Sequence, residues 1–194
     1  MQQLVFATNN KHKLAEVAAK VGAQFKLVTL DEIGCHDDIA ETGHTFHENA
    51  SIKSHYIFEH FGLNCFGDDS GLEIDALNGE PGIYSARYSG QHGDHDANNK
   101  LVLQKMYGET NRKARFRSVI SLMWNGEEHF FDGVVEGSIR QELSGVEGFG
   151  YDPIFEPEEF DITLAEMTMD EKNAISHRGQ AVDKLVAFLT AQQS

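Results

Sequence analysis

The chain has 194 residues, of which 31 are acidic and 16 are basic, so its formal net charge is −15. This charge argues against a general nucleic-acid binder, and no apolar stretch is long enough to span a membrane. The start of the chain lacks the basic residues of a signal peptide, so we expect a cytoplasmic protein. The spacing of Cys35 and Cys65 fits neither a metal site nor a redox motif, so we expect reduced thiols. The length predicts one domain of two closely joined lobes over residues 1–194.

The first elements predicted along the chain are a buried strand and a helix joined by a polar loop. The apolar run Leu4–Ala7 predicts the strand, and apolar residues from Leu14 to Val21 share one face of a helix that Gly22 is expected to end. A polar loop before a helix directs backbone N–H groups towards an anion. Threonine and asparagine are also ordinary capping residues, so a connection without a ligand is the alternative interpretation.

The next elements are a strand from Phe25 to Leu30 and a helix from Thr45 to about Phe61. Thr45 followed three residues later by Glu48 fits a capping box at the start of this helix. Lys53 lies within the helix, where a lone lysine is usually solvated. A role for Lys53 in a site therefore needs support from other residues.

The most informative stretch is Asp68-Asp69-Ser70-Gly71, which follows the apolar run Leu63–Gly67 and precedes the alternating run Leu72–Leu77. We expect it to form a turn at the end of a strand, because Asp, Ser and Gly are common turn residues. Adjacent carboxylates repel each other unless a positive group shares the site, and Mg²⁺ prefers carboxylate oxygen as a ligand. A solvated turn and a metal site are equally good interpretations of these four residues alone.

A third helix and a long hairpin follow. Asp94 or Asp96 is predicted to cap the helix. The run Ala114–Trp124 is the clearest strand of the chain, and the dipeptide Asn125-Gly126 predicts a tight turn into an antiparallel strand from His129 to Ile139. Local strand–helix alternation together with this hairpin predicts an α/β fold, with a long mixed twisted central sheet flanked by helices.

The last third of the chain begins with a glycine-rich segment, Gly145 to Pro153. Its aromatic residues Phe149 and Tyr151 offer ring faces for a flat base, or they pack into the core. A second capping box at Thr168 starts a short helix that contains Lys172. The segment Ser176–Gly179 separates this helix from a final amphipathic one.

Together these polar clusters supply the groups that a nucleoside triphosphate needs. Cationic side chains for phosphates or a base come from Lys11, Lys13, Lys53, Lys172 and Arg178. Glu41 and Asp69 suit Mg²⁺, the Ser70 hydroxyl suits a phosphate oxygen, and Phe149 suits a stacked base. Because the clusters lie far apart in sequence, we infer a substrate cleft between two lobes.

The motif segments, in chain order, are Phe6–Lys13, Glu41–Gly43, Glu48–Lys53, Asp68–Gly71, Pro81–Gly90, Gly148–Phe155 and Ser176–Gly179. Because these motifs occur in this order, the chain resembles the inosine triphosphate pyrophosphatases, which remove deaminated purine nucleotides. The resemblance extends from residue 6 to residue 189. It implies an elongated α/β fold with a central cleft, a homodimer, and Mg²⁺-dependent hydrolysis of ITP, dITP or XTP to the monophosphate and pyrophosphate.

The resemblance also implies roles for individual residues. Asp69 is implied as the general base and a metal ligand, Glu41 as a second metal ligand, and Asp68 as a candidate further ligand. The phosphate-binding loop is implied to comprise Thr8, Asn9, Asn10, Lys11, His12 and Lys13. Further substrate contacts are implied for Lys53 and Ser70. The base-recognition set is implied to comprise Phe149, Gly150, Tyr151, Asp152, Lys172, His177 and Arg178.

Three alternatives remain open at this point. The first is a related pyrophosphatase that acts on pyrimidine or modified nucleotides. The second is a nucleotide-sensing module that binds ITP without releasing pyrophosphate, although a pure binder needs no base such as Asp69. The third is a metal-binding protein that uses some of the ten histidines.

Overall fold

The structure is a computed structural model that describes residues 2–21 and 25–192, without the side chain of Ala19. The helix end predicted at Gly22 lies outside the described residues. The strands are β1 Gln2–Phe6, β2 Phe25–Val28, β3 Cys65–Ile74, β4 Lys113–Trp124, β5 Glu127–Ile139 and β6 Phe155–Pro157. The α-helices are α1 Lys11–Val21, α2 Phe46–Phe61, α3 His95–Lys105, α4 Met169–Ile175 and α5 His177–Ala191.

The strands form one six-stranded sheet in the order β2-β1-β3-β4-β5-β6. Strand β1 pairs in parallel with both β2 and β3, whereas β5 and β6 are antiparallel. The sheet is therefore mixed, and the predicted α/β class with helices flanking a mixed sheet is confirmed. Among the described residues, none of the helices has the length and hydropathy needed to cross a bilayer.

The chain divides into two compact units. Unit 1 is drawn from Met1–Asp69, Ser118–Gly133 and Arg178–Ser194, and unit 2 from Ser70–Arg117 and Val134–His177. Unit 1 has one apolar cluster in which α1 and α5 pack on β1, β3 and β4, and a second one that includes Val5, Ile57 and Met123. Unit 2 has its own core around Leu72, Ile74 and Phe155.

The helix starts follow local sequence signals. The hydroxyl of Thr45 accepts a hydrogen bond from the backbone N–H of Glu48 at 3.1 Å, so Thr45 caps α2 as predicted, although the Glu48 carboxylate accepts from the N–H of His44. Thr168 and Glu171 form both halves of a capping box at α4. Of the two candidate caps of α3, it is Asp94 that caps it. These ends need only a side-chain oxygen a few residues from the unpaired N–H groups.

The predicted tight turn between β4 and β5 is confirmed. Asn125 and Gly126 have φ values of 51° and 88°, and positive φ at both positions is the requirement of a type I′ hairpin turn.

The turn predicted at Asp68-Asp69-Ser70-Gly71 is wrong. All four residues lie inside β3, which continues without interruption from Cys65 to Ile74. Both aspartates are buried, with exposed fractions of 1% and 6%. Because successive side chains of a strand point to opposite faces, the two carboxylates enter different surroundings within unit 1.

Candidate active site

The segment between β1 and α1 caps its own helix. The side-chain oxygen of Asn10 accepts from the N–H groups of His12 at 3.0 Å and Lys13 at 3.3 Å, and the hydroxyl of Thr8 accepts from the N–H of Asn10. The helix begins at Lys11, so the predicted loop Thr8–Lys13 is in part the first turn of α1. Asn9, Lys11 and His12 are exposed. Asn10 therefore caps the helix, and its side chain occupies N–H groups that could otherwise bind an anion.

Asp68 is the centre of a buried charge network in unit 1, which we call the Asp68 network: Lys13, Glu16, Asp68 and Arg178. The Nζ of Lys13 lies 3.0 Å from Oδ1 and 2.9 Å from Oδ2 of Asp68, and the Nε of Arg178 lies 3.4 Å from Oδ2. The Nη1 of Arg178 also pairs with Glu16. The two helices that carry these cations, α1 with Lys13 and α5 with Arg178, are thereby fixed to β3.

The charge balance of the Asp68 network keeps Asp68 ionised. Burial by itself raises the pKa of Asp68, but Lys13 and Arg178, together with the nearby Lys53, outweigh burial and lower the pKa to about 2. Burial likewise lowers the pKa of Lys13, and this effect outweighs the attraction of Asp68. Two cations and two carboxylates give the network no net charge when all are ionised, so it offers an incoming anion little long-range attraction.

Asp69 has a different environment, which we call the Asp69 network: Glu41, Asn49, Lys53 and Asp69, also within unit 1. The Nδ2 of Asn49 donates to Oδ2 of Asp69 at 3.0 Å, and the Nζ of Lys53 lies 2.5 Å from Oε1 of Glu41. Burial raises the pKa of Asp69 to about 6, and the neighbouring Glu41 carboxylate adds to the rise while Lys53 opposes it. A carboxylate with this pKa can accept a proton near neutral pH.

A close contact between α2 and β3 positions Lys53. A Cβ atom at Gly67 would lie 2.6 Å from the carbonyl oxygen of Ala50 and 2.7 Å from Cβ of Lys53. Only glycine allows the helix backbone to approach the strand this closely. The contact places a lysine of the middle of α2 beside the carboxylates of β3, where Asp68, Glu41 and Asp69 raise its pKa against the lowering effect of burial. Lys53 is therefore not the solvated helix lysine that its sequence context favours.

Glu41 and Asp69 are the residues of the Asp69 network that fit a divalent cation. Their carboxylates repel each other, as the contribution of Glu41 to the raised pKa of Asp69 indicates, and a hard cation would relieve this repulsion. Among the described residues no group of three His, Cys, Asp or Glu side chains is arranged to hold a metal. Two carboxylates suit Mg²⁺, because this ion usually keeps several water molecules and takes further oxygen from substrate phosphates.

Unit 2 contains a third group, the Phe149 network: Phe149, Asp152 and Lys172. Oδ2 of Asp152 accepts from the backbone N–H of Phe149 at 2.9 Å and from Nζ of Lys172 at 2.7 Å. The same ammonium lies 4.8 Å from the centre of the Phe149 ring, within the range of a cation–π interaction. At Gly148, where φ is 79°, a Cβ atom would lie 2.1 Å from Oδ2 of Asp152, so this turn requires glycine.

The remaining members of the predicted base-recognition set have other environments. Tyr151 is 4% exposed, packs in the core of unit 2 and donates its hydroxyl hydrogen to the carbonyl of Ser85, so of the two interpretations left open the structure supports core packing for Tyr151. The carbonyl of Gly150 accepts from Asn99 at 2.8 Å. The His177 ring stacks on Phe116 with 5.0 Å between ring centres. Arg178 belongs to unit 1, where it pairs with Asp68 and Glu16.

Ser70 follows Asp69 in β3 and is partly exposed. Two residues in these networks were not among the predicted site residues: Glu16 and Asn49. Both had a helical spacing signal, because Glu16 lies three residues after Lys13 and Asn49 lies four residues before Lys53, which places each on the same helix face as its lysine.

Comparison with known proteins gives consistent matches over almost the whole chain. The profile of the Ham1 family matches residues 4–188. A dITP/XTP pyrophosphatase of Flavobacterium johnsoniae is 46% identical over 97% of this chain and 98% of its own length. A dITP/XTP pyrophosphatase of Bacillus subtilis is 44% identical over 98% of both chains. The structure of the Staphylococcus aureus Ham1 protein superimposes with a TM-score of 0.92 at 40% identity, over 98% of this chain and all of the other.

Proposed function

Because the chain belongs to the Ham1 family, we propose that it is a nucleoside-triphosphate pyrophosphatase that hydrolyses deaminated purine nucleotides, dITP, ITP and XTP, to the monophosphate and pyrophosphate. The similar proteins of Flavobacterium johnsoniae and Bacillus subtilis carry the name dITP/XTP pyrophosphatase. The observation that carries the proposal is the buried carboxylate of Asp69, which accepts a hydrogen bond from Asn49 and belongs to one network with Glu41 and Lys53. Removal of such nucleotides from the pool that supplies DNA and RNA synthesis is the corresponding cellular role.

The Asp69 network supplies the groups for the chemical step. Glu41 and Asp69 would hold Mg²⁺, which when bound supplies positive charge that stabilises the charge developing on the phosphate oxygens. Asp69 orients a water molecule and accepts its proton as the water oxygen attacks the α-phosphorus. The bond between the α-phosphorus and the bridging oxygen breaks, and pyrophosphate leaves with the electron pair. A neutralised pyrophosphate is a good leaving group, so no covalent intermediate is needed.

Lys13 and Lys53 have the charge and location to neutralise the triphosphate. Each is paired with a carboxylate, Lys13 with Asp68 and Lys53 with Glu41. A bound phosphate therefore shares these cations with carboxylates, and Asp68 serves to hold Lys13 at its position rather than to bind metal. In a chain of net charge −15, these pairs hold two cations at fixed positions, and the positive charge that attracts the triphosphate would come from the bound Mg²⁺.

The Phe149 network is proposed to select the base. Hypoxanthine and xanthine carry a 6-oxo acceptor, and the Lys172 ammonium is a donor held beside the Phe149 ring by Asp152. Adenine carries a 6-amino donor at this position, so a donor–donor mismatch would oppose it by about 1–3 kcal/mol for each unmatched group. Stacking on Phe149 adds affinity for any base and does not discriminate among them.

The decisive experiment measures pyrophosphate release from dITP, ITP, XTP, GTP and ATP, with and without Mg²⁺. We expect kcat/KM for dITP, ITP and XTP to exceed that for ATP by at least tenfold, and release to require Mg²⁺. Equal kcat/KM for ATP and ITP would contradict the proposed selectivity. Tight binding of ITP with no pyrophosphate release would identify a nucleotide sensor instead.

The resemblance also supports a homodimer in the cytoplasm as part of the proposal. Light scattering of the purified protein at several concentrations tests the oligomeric state, with a mass of twice 21.6 kDa as the expected value.

A further inference from the structure

Asn49 links the two carboxylate-bearing segments of the Asp69 network. It is completely buried on α2, it carries no charge, and both ends of its amide are hydrogen-bonded. We propose that Asn49 is a positioning residue that sets the spacing between Glu41 and Asp69 before any ligand binds, so that the two carboxylates receive a divalent cation. This inference rests on the proposed function, in which these two carboxylates hold the metal.

The orientation of the Asn49 amide is determined by its partners. Its Oδ1 accepts from the backbone N–H of Gly43 at 2.8 Å, and its Nδ2 donates to Oδ2 of Asp69 at 3.0 Å. A flipped amide would place an NH₂ group against the N–H of Gly43 and an oxygen against a carboxylate oxygen, and both contacts would be repulsive. Asn49 therefore has one orientation, and it directs a donor at the proposed metal ligand Asp69.

The segment that carries Glu41 is held at two points of α2. Gly43 lies two residues after Glu41 and binds Asn49, while Glu41 itself pairs with Lys53. Asn49 and Lys53 are four residues apart and share a helix face. A Cβ atom at Gly43 would lie 2.6 Å from Cβ of Glu48 and 2.7 Å from Oδ1 of Asn49, so the segment lies directly against the helix. Helix α2 acts as a rigid spacer between Glu41 and Asp69.

A neutral amide suits this position better than a charged group. A second lysine would compete with the cation, and a further carboxylate would increase the repulsion that already acts between Glu41 and Asp69. Hydrogen bonds to the ligands of a metal typically account for a factor of about 10–100 in metal affinity, because they fix ligand orientation. The expected effect of removing the Asn49 amide is a loss of this size.

The experiment measures Mn²⁺ binding to the nucleotide-free protein by electron paramagnetic resonance. We expect Asn49→Ala to weaken Mn²⁺ binding by about 10-fold or more. Ser54→Ala is the matched control, because Ser54 is equally buried on the same helix. This substitution removes the hydrogen bonds of the Ser54 hydroxyl to Ser121 and Ser51 but keeps the hydrogen bond between Asn49 and Asp69. It should retain wild-type Mn²⁺ affinity at a similar loss of thermal stability. Equal weakening in both variants would show a general loosening of α2 and overturn the proposal.

Gly43→Ala provides a second variant if Asn49→Ala does not fold. It keeps the Asn49 amide but displaces the segment that carries Glu41, so weaker Mn²⁺ binding is expected again. Unchanged Mn²⁺ affinity in Gly43→Ala and in any folded Asn49→Ala overturns the proposal. A wild-type protein that binds no Mn²⁺ without nucleotide overturns it as well. In that case Mg²⁺-dependent pyrophosphate release by the same wild-type protein would still support the proposed function, so the two failures are distinguishable.

Discussion

The Nζ of Lys13 lies within 3.0 Å of both carboxylate oxygens of Asp68, and Asp68 is 1% exposed. A lysine proposed for phosphate binding is thus held in place by a buried carboxylate of strand β3. Asp68 also pairs with Arg178, so one buried carboxylate contacts two cations, of which Arg178 has Glu16 as a second partner.

Asp68→Asn should destabilise the protein at pH 7 by about 3–5 kcal/mol, because Lys13 and Arg178 would lose their common counter-charge. The urea midpoint of unfolding measures the loss. Asp132→Asn is the control, since this partly exposed carboxylate pairs with His47 at the surface and should contribute less than about 1 kcal/mol. Similar losses in both variants would contradict a special role of Asp68.

The stability difference between the wild type and Asp68→Asn should narrow in acid. The folded-state pKa of Asp68, about 2, lies below its ordinary value of 3.8, so the folded state favours the ionised form. This contribution is present above the ordinary pKa and is lost as pH falls from about 4 to about 2. Urea midpoints at a series of pH values from 5 down to 2 test the sign. A constant difference over this range would show that the charge of Asp68 is not responsible.

Asp69→Asn should abolish turnover while preserving the fold. Loss of a general base reduces the rate by about 10²–10⁴-fold. The raised pKa of Asp69 means that ionisation opposes folding above pH 6, so a neutral asparagine should leave the protein at least as stable at pH 8. Pyrophosphate release and thermal unfolding are measured on the same sample. Turnover near the wild-type value would remove Asp69 from this role.

The acidic limb of the pH–rate profile should report the ionisation of the Asp69 carboxyl group. Proton acceptance requires the ionised carboxylate, so kcat/KM is expected to fall as pH is lowered through about 6. A cation favours the ionised form, and higher Mg²⁺ concentrations should therefore shift this limb to lower pH. A limb that does not move with Mg²⁺ would argue against Asp69 as a metal ligand.

Phe149→Leu should raise KM for XTP or ITP with a smaller effect on kcat. The ring is expected to stack on the base, and such stacking is worth about 1–3 kcal/mol, or roughly 5- to 150-fold in KM when KM reflects binding. Tyr107→Leu is the control, because this tyrosine is also in unit 2 and is 92% exposed. An unchanged KM in Phe149→Leu would exclude Phe149 as the stacking residue.

Gly67→Ala should impair both stability and turnover. The added Cβ would lie 2.6 Å from the Ala50 carbonyl, so α2 must move away from β3 and carry Lys53 with it. A loss of about 1–3 kcal/mol in unfolding free energy is typical of such overpacking. Gly62→Ala at the end of the same helix meets no neighbouring atom and should lose about 1 kcal/mol through its positive φ, with normal turnover.

The local features of the fold could be predicted from the sequence because their causes lie within a few residues. The caps Thr45 and Thr168 and the turn at Asn125 are set by side chains adjacent to the backbone groups that they satisfy. The same local reasoning failed at Asp68 and Asp69. Aspartates next to serine and glycine favour a turn, but here burial and ion pairing over 110 residues, from Asp68 to Arg178, retain them in a strand.

The sequence by itself therefore determined the α/β class, the element boundaries near strong caps, and the residues that carry charge and hydrogen-bonding capacity. Only the tertiary structure decided the partner of each charge. Asp68 and Asp69 are neighbours in the chain, yet their pKa values move in opposite directions, to about 2 and about 6. The physical reason is that a pKa depends on burial and on charges within a few ångströms, and the strand directs the two carboxylates to different neighbours.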